Sequence, residues 1–93
     1  MIQYCAGFFD GEGCIYIRKD NRVRLHLAQN VLPPLDLFQS LYGGNIYSTG
    51  PPPRRGFQLI ICKKKDVIHC LIDLEPYLLV KGNKAREALK LLL

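Results

Sequence analysis

Several signatures are missing from this sequence, and each absence narrows what the chain can be. No two cysteines stand at CxxC spacing, and His26 and His69 are not placed as a zinc pair, so Cys5, Cys14, Cys62 and Cys70 do not outline a zinc site. They read as reduced thiols, which points to an intracellular compartment (cytoplasm, organelle matrix or nucleoid) and away from secretion. No apolar run approaches the length that spans a bilayer, and the first residues lack the basic-then-apolar order of a signal peptide, so no membrane partner is expected. Internal repeats, low-complexity segments and long linkers are absent too, which argues for one domain over residues 1–93. Acidic residues are outnumbered: 8 Asp and Glu stand against 13 Lys and Arg, a formal charge of +5 and a pI near 9.2. That balance favours a polyanionic partner, although a solvated basic surface has the same composition.

What is present is ordered in recognisable units. Ile15 and Ile17 alternate with Tyr16 and Arg18, "KDN" turns the chain, and Val23, Leu25 and Leu27 alternate with Arg24, His26 and Ala28. Period-two alternation predicts a β-hairpin with an apolar face and a polar, basic, partly aromatic one. Pro33 and Pro34 suit the first turn of a helix carrying Leu35, Phe38, Leu41 and Tyr42, which Gly43 and Gly44 stop. A second hairpin follows, "NIYS" and "FQLIIC" flanking the loop "STGPPPRRG". Asp66 is expected to cap a helix running to about Leu74, Pro76 to interrupt it, and Asn83 to cap a last helix with Ala85, Ala88, Leu89, Leu92 and Leu93 as its apolar stripe. The predicted order is α-β-β-α-β-β-α-α, an α+β domain.

The opening stretch "YCAGFFDGEGCIYIR" is the least ordinary. Wound as a helix, residues 2–11 separate Ile2, Cys5, Phe8 and Phe9 from Gln3, Ala6, Gly7, Asp10 and Gly11. The first set suits the core. The second leaves a shallow groove in which either a strand of the same domain or a second helix can approach closely. Glu12 falls where helix gives way to strand, an end whose dipole disfavours a carboxylate unless a cation sits beside it; a solvated turn acid is the plainer alternative.

"CAGFFDGEG", Cys5 to Gly13, resembles the signature motif of the LAGLIDADG homing endonucleases, with Ala6, Gly7, Asp10 and Gly13 at matching positions and Glu12 as the acid. "LHLAQN", with Gln29, is similar to the end of that family's second strand. "LYGGNIY" fits its glycine turn before the third strand, and "LEPYLLVKGNKA" resembles its L-x-P-[YF]-L-x-x-K-x-x-Q-A segment. The resemblance covers nearly the whole chain. Cys5 replaces the motif's first leucine, Lys84 the usual glutamine, and "KDN" shortens the first hairpin, which implies a shorter target. The chain is also shorter than usual for single-motif members, as a minimal form or an excised domain would be.

The resemblance implies an αββαββα(α) saddle whose four-stranded antiparallel sheet straddles double-stranded DNA. It implies a homodimer meeting through Gln3, Ala6, Gly7, Asp10 and Gly11, with Asp10 in a structural, capping role. It further implies site-specific, metal-dependent double-strand cleavage with short 3′ overhangs at a pseudo-palindromic target. Glu12, with the Gly11 carbonyl, would hold Mg²⁺ or Mn²⁺, Gln29 would order a water, and Lys81 would stand near the scissile phosphate. Tyr16, Arg18, Arg24, His26, Gln58 and Lys63 are the candidates for base reading, and Lys19, Arg22, Arg54, Arg55, Lys64 and Lys65 for phosphate contact. Two other functions compatible with the same fold are a DNA-binding protein that does not cut and an RNA-splicing maturase.

Overall fold

The computed structural model describes residues 1–51 and 56–93. Its elements are α1 (Ile2–Glu12), β1 (Gly13–Ile17), β2 (Val23–Gln29), α2 (Pro33–Tyr42), β3 (Asn45–Thr49), β4 (Gly56–Ile61), α3 (Lys64–Leu74), a single 3₁₀ turn (Glu75–Tyr77) and α4 (Gly82–Leu92). The order is the expected one, and the four strands form one antiparallel sheet in the sequence β1-β2-β4-β3.

Register divides the sheet into two faces. Gly13, Leu27, Leu59 and Ile46 lie in one row across the four strands, and Ile15, Leu25 and Ile61 in the next, all on the helix side. Residues directly opposite share a face, so Cys14, His26, Ile60 and Asn45 form a row on the other side. Tyr16 and Arg24 flank that row at one end, Ala28, Gln58 and Tyr47 at the other. The apolar rows are buried against Cys5 and Phe9 of α1, Leu35, Phe38 and Tyr42 of α2, Val67, Cys70, Leu71 and Leu74 of α3, and Ala85 and Ala88 of α4. Full burial of a side chain such as Leu25 or Leu59 contributes about 1.5–3 kcal/mol, which is why the helices gather on one side of the sheet. Phe9 and Phe38 stack at 6.2 Å and Phe38 meets Tyr42 at 5.2 Å, an aromatic run that joins α1 to α2. The Tyr42 hydroxyl leaves the core by donating to Asp73 at 3.2 Å.

Local details depart from the sequence reading. α3 begins at Lys64 with Lys63 at its N-cap, so Asp66 lies inside the first turn, where its charge still complements the helix dipole. α4 begins at Gly82 after Lys81, not at an Asn83 cap; Asn83 accepts a hydrogen bond from Arg86 instead. Leu93 is exposed, one residue past the last helical turn, and Ile2, at the first turn of α1, stays outside the buried core.

Two glycines allow close approaches. Gly44, at φ +94°, would set a Cβ 2.7 Å from the Ile60 carbonyl oxygen, so the entry to β3 is open only to glycine. Gly13 has an ordinary φ of −86°, but its Cβ would lie 2.6 Å from the Phe9 ring and 2.8 Å from the Phe9 carbonyl oxygen. The turn from α1 into β1 therefore excludes a side chain by space, not by backbone strain. Gly13→Ala is expected to lower unfolding free energy by about 1–3 kcal/mol, read from urea denaturation; unchanged stability would contradict this packing.

Candidate nucleic-acid interface

The site is built from the end of α1 outward. The Asp10 carboxylate accepts hydrogen bonds from three successive backbone N–H groups of the loop that leads into α4: Leu79 at 2.6 Å, Val80 at 3.0 Å and Lys81 at 2.9 Å. Consecutive N–H groups aimed at one point make an anion-binding nest. Partial burial pushes the Asp10 carboxyl up, but the bonds from Lys81, Leu79 and Val80, with the Lys81 charge, outweigh it and hold the group below the usual carboxylate range. Lys81 then folds back, its Nζ donating to the Asp10 carbonyl oxygen. The ammonium thus supplies the positive charge that the C-terminal end of α1 favours. Glu12, exposed, and Gly11 lie within two residues of that carbonyl. Gln29 is two residues past Leu27, the partner of Gly13, or ~7 Å farther along the strand, so it ends beside the same helix terminus. Its Oε1 accepts from the Asn30 N–H at 2.9 Å.

The second face of α1 is narrower than its spacing suggested. Ala6 is 1% exposed and belongs to the protomer's own core, because at three residues from Phe9 it sits only about 60° around the helix from the buried stripe. Asp10 is engaged within its own chain. Gln3, Gly7 and Gly11 are exposed, and a Cβ at Gly7 or Gly11 would meet nothing within 4 Å. Tyr4 shares this exposed side, and Leu79 (93% exposed) and Val80 (77%) flank it on the loop that Asp10 fastens. Sequence reasoning passed over these three. Tyr4 precedes the matched motif, which begins at Cys5, and Leu79 and Val80 lie inside a segment whose resemblance rests on other positions.

On the sheet, Tyr16, Arg24, His26 and Gln58 share the open face, as expected. Asn45 and Tyr47 of β3 join them and were missed, although counting parity through "NIYS" would have found them. Lys63 does not join them: β4 ends at Ile61, and Lys63 caps α3. Arg18, just past β1, and Arg22, in the hairpin turn, both pair with Asp20, at 3.8 Å and 3.5 Å. Arg22, Arg24 and Lys64 line one cleft at the hairpin end, brought together from β2, its turn and the start of α3. Lys19 and Lys65 are exposed near that end, whereas Arg54 and Arg55 lie outside the described residues. No helix among the described residues is long and apolar enough to cross a membrane.

No protein-family model and no curated protein sequence matches the chain. Solved structures do. Over 98% of this chain the fold superposes on the homing endonuclease I-CvuI in complex with the I-CreI target, with a TM-score of 0.72 at 24% identity. The archaeal intron-encoded homing endonuclease I-Vdi141I complexed with DNA gives 0.74 at 16% identity over 96%, and the group I intron-encoded I-CeuI complexed with DNA 0.73 at 15% over 97%. The chain spans 64%, 64% and 51% of those three proteins. Its fold is therefore that of the LAGLIDADG homing endonucleases.

Because a depressed folded-state pKa contributes stability above the unfolded carboxylate range and loses it on acidification, Asp10 sets a pH window. Asp10→Ala is expected to cost about 1–2 kcal/mol at neutral pH. The gap from the parent chain should close as pH falls through the folded-state pKa of Asp10. Urea denaturation of both chains across that range checks this, and a gap that persists into acid would contradict it.

Proposed function

We propose that the chain is a site-specific DNA endonuclease that acts as a homodimer with a divalent metal, cutting both strands of a pseudo-palindromic duplex and leaving short 3′ overhangs. One observation carries the reading: the Lys81 ammonium bonds the Asp10 carbonyl at the C-terminal end of α1, within two residues of Gly11 and Glu12, and that helix runs directly into a sheet whose open face is set with Tyr16, Arg24, His26 and Gln58. Solved proteins of the same fold complexed with DNA support duplex DNA as the partner.

Glu12 and Gly11 provide hard oxygen donors, the kind that Mg²⁺ or Mn²⁺ takes. Among the described residues no three His, Cys, Asp or Glu side chains come together. With the Asp10 carboxylate taken up by backbone N–H groups, Glu12 is the carboxylate left for a cation at this helix end, and a second copy, packed through Gln3, Gly7 and Gly11, supplies the other Glu12. Bound there, the cation contributes Lewis acidity toward a phosphate and lowers the pKa of its water. The chain's own residues do the rest. Lys81, anchored at both its N–H and its Nζ, offsets charge that develops on the phosphate. Gln29, its oxygen already engaged, uses its NH₂ to hold a water. Arg22 and Lys64 neutralise backbone phosphates at the far end of the sheet and make affinity salt-dependent.

Glu12→Gln is expected to keep duplex binding and lose cleavage by at least roughly 100-fold, measured on a randomised duplex library with Mg²⁺ and sequencing of the ends. Sequences enriched but never cut by the parent chain would instead support a binding protein. Gly7→Gln should leave the protomer folded, since its Cβ has open space, while abolishing both dimer formation and cutting. Sedimentation and the same library read both, and a dimer that survives Gly7→Gln would remove α1 from the interface.

A further inference from the structure

A side-chain hydrogen bond crosses strands on the open face: Gln58 Nε2 of β4 stands 3.0 Å from His26 Nδ1 of β2. The two are not direct partners, since Gln58 pairs with Ala28 and His26 with Ile60; they meet on the diagonal. From the other side Tyr16 of β1 packs edge-on against the imidazole, with 4.6 Å between ring centroids. The ring is held from both flanks.

The amide nitrogen faces the ring, and an amide nitrogen only donates, so in this arrangement Nδ1 is the acceptor and the neutral ring carries its proton on Nε2. The Gln58 amide is correspondingly set with its NH₂ toward the ring and its Oε1 away from it. One N–H and the Oε1 stay free on the same plane, a donor beside an acceptor. That pair matches the N7 acceptor and N6 amino donor of adenine in the major groove. An unanchored glutamine turns over freely and presents either order.

We infer that His26 and Gln58 form one reading unit, in which His26 positions the Gln58 amide to select adenine at one base pair of each half-site and offers its own Nε2–H to a neighbouring acceptor. The inference rests on the DNA-binding reading above. It assigns His26 a positioning role in addition to any base contact. It also makes the preference dependent on protonation. The groups around His26 are Cys14 and Tyr16 from β1, Arg24 from β2, and Gln58 and Ile60 from β4. None of them is a carboxylate. Burial first, and then the Arg24 charge, hold the imidazole pKa below its ordinary value, so the neutral ring prevails at neutral pH. A proton on Nδ1 in acid would face the amide N–H, and Gln58 would turn over to accept it. Its NH₂ then points outward, two donors suited to the O6 and N7 of guanine.

The test is enrichment of randomised duplexes, with Ca²⁺ present, at ~pH 8, above the ordinary imidazole range, and at an acid pH below the His26 titration midpoint read from the ¹⁵N shifts of the free protein. The parent chain is compared with Gln58→Leu, His26→Phe and the double variant, each confirmed folded by its unfolding curve. At ~pH 8 the parent should prefer adenine at one position per half-site by roughly 5- to 150-fold. Both single variants should flatten that same position, and the double variant no further. Below that midpoint the parent's preference should pass to guanine while that of His26→Phe does not move. The ¹⁵N shifts of the free protein should report the Nε2–H tautomer at ~pH 8. An Nδ1–H tautomer, effects of the two substitutions at different positions, or an adenine preference that survives His26→Phe would each overturn the unit while leaving DNA binding intact. Absence of any enriched sequence with the parent chain would overturn the DNA-binding reading and this inference with it.

Discussion

The grip of the Asp10 carboxylate on three consecutive N–H groups is the contact on which the rest of the site depends. Hydrogen bonds to a charged group are stronger than those between neutral partners, and these link residues some seventy positions apart. Without them the end of α1 and the entry to α4 would be two loose segments at the rim of the sheet. With them, Lys81 is placed by its backbone, and its side chain then has only the last carbonyls of α1 to reach. The same contact holds Leu79 and Val80 beside the bare side of α1, so one acid organises both the end of that helix and the surface next to it.

The sheet gains its second role from what the helices leave uncovered. All four helices pack on the rows that contain Leu25, Leu27, Leu59 and Ile61, and the opposite rows hold side chains that hydrogen-bond and stack with one another in the open. A preformed polar surface of this kind loses less freedom on binding than a set of unrestrained side chains would. Electrostatics act at the periphery, where Arg22, Arg24 and Lys64 share a cleft, while the middle of the face is nearly uncharged.

Element type and order were legible because alternation, proline starts and glycine stops are local signals. The face of the sheet followed from parity alone for Tyr16, Arg24 and His26, and Gln58 joins them by its pairing with Ala28. What escaped was set by tertiary contact. Asn83 looked like a helix cap, yet the N–H groups ahead of α4 are satisfied by Asp10, a residue no local rule associates with them. Ala6 matched a groove-lining pattern, but how far a buried stripe extends around a helix depends on what packs against it. Lys63 was carried into the sheet because β4 has no stop signal between Ile61 and Asp66, and the helix there starts without a side-chain cap. The roles of Glu12, Gln29 and Lys81 came from resemblance, since none of the three carries a local signal strong enough to mark it.

The register of β2 sets the spacing that a duplex laid along the proposed interface would meet. Side chains on one face of a strand repeat every ~6.8 Å, and successive base pairs of a duplex every ~3.4 Å. Arg24, His26 and Ala28 are therefore commensurate with alternate base pairs, and the steps between them are within reach only of the neighbouring strands. A target read by such a surface is sampled like a comb, with positions of strict and lax identity in alternation, and its information content is set by pleat geometry as much as by the chemistry of the side chains.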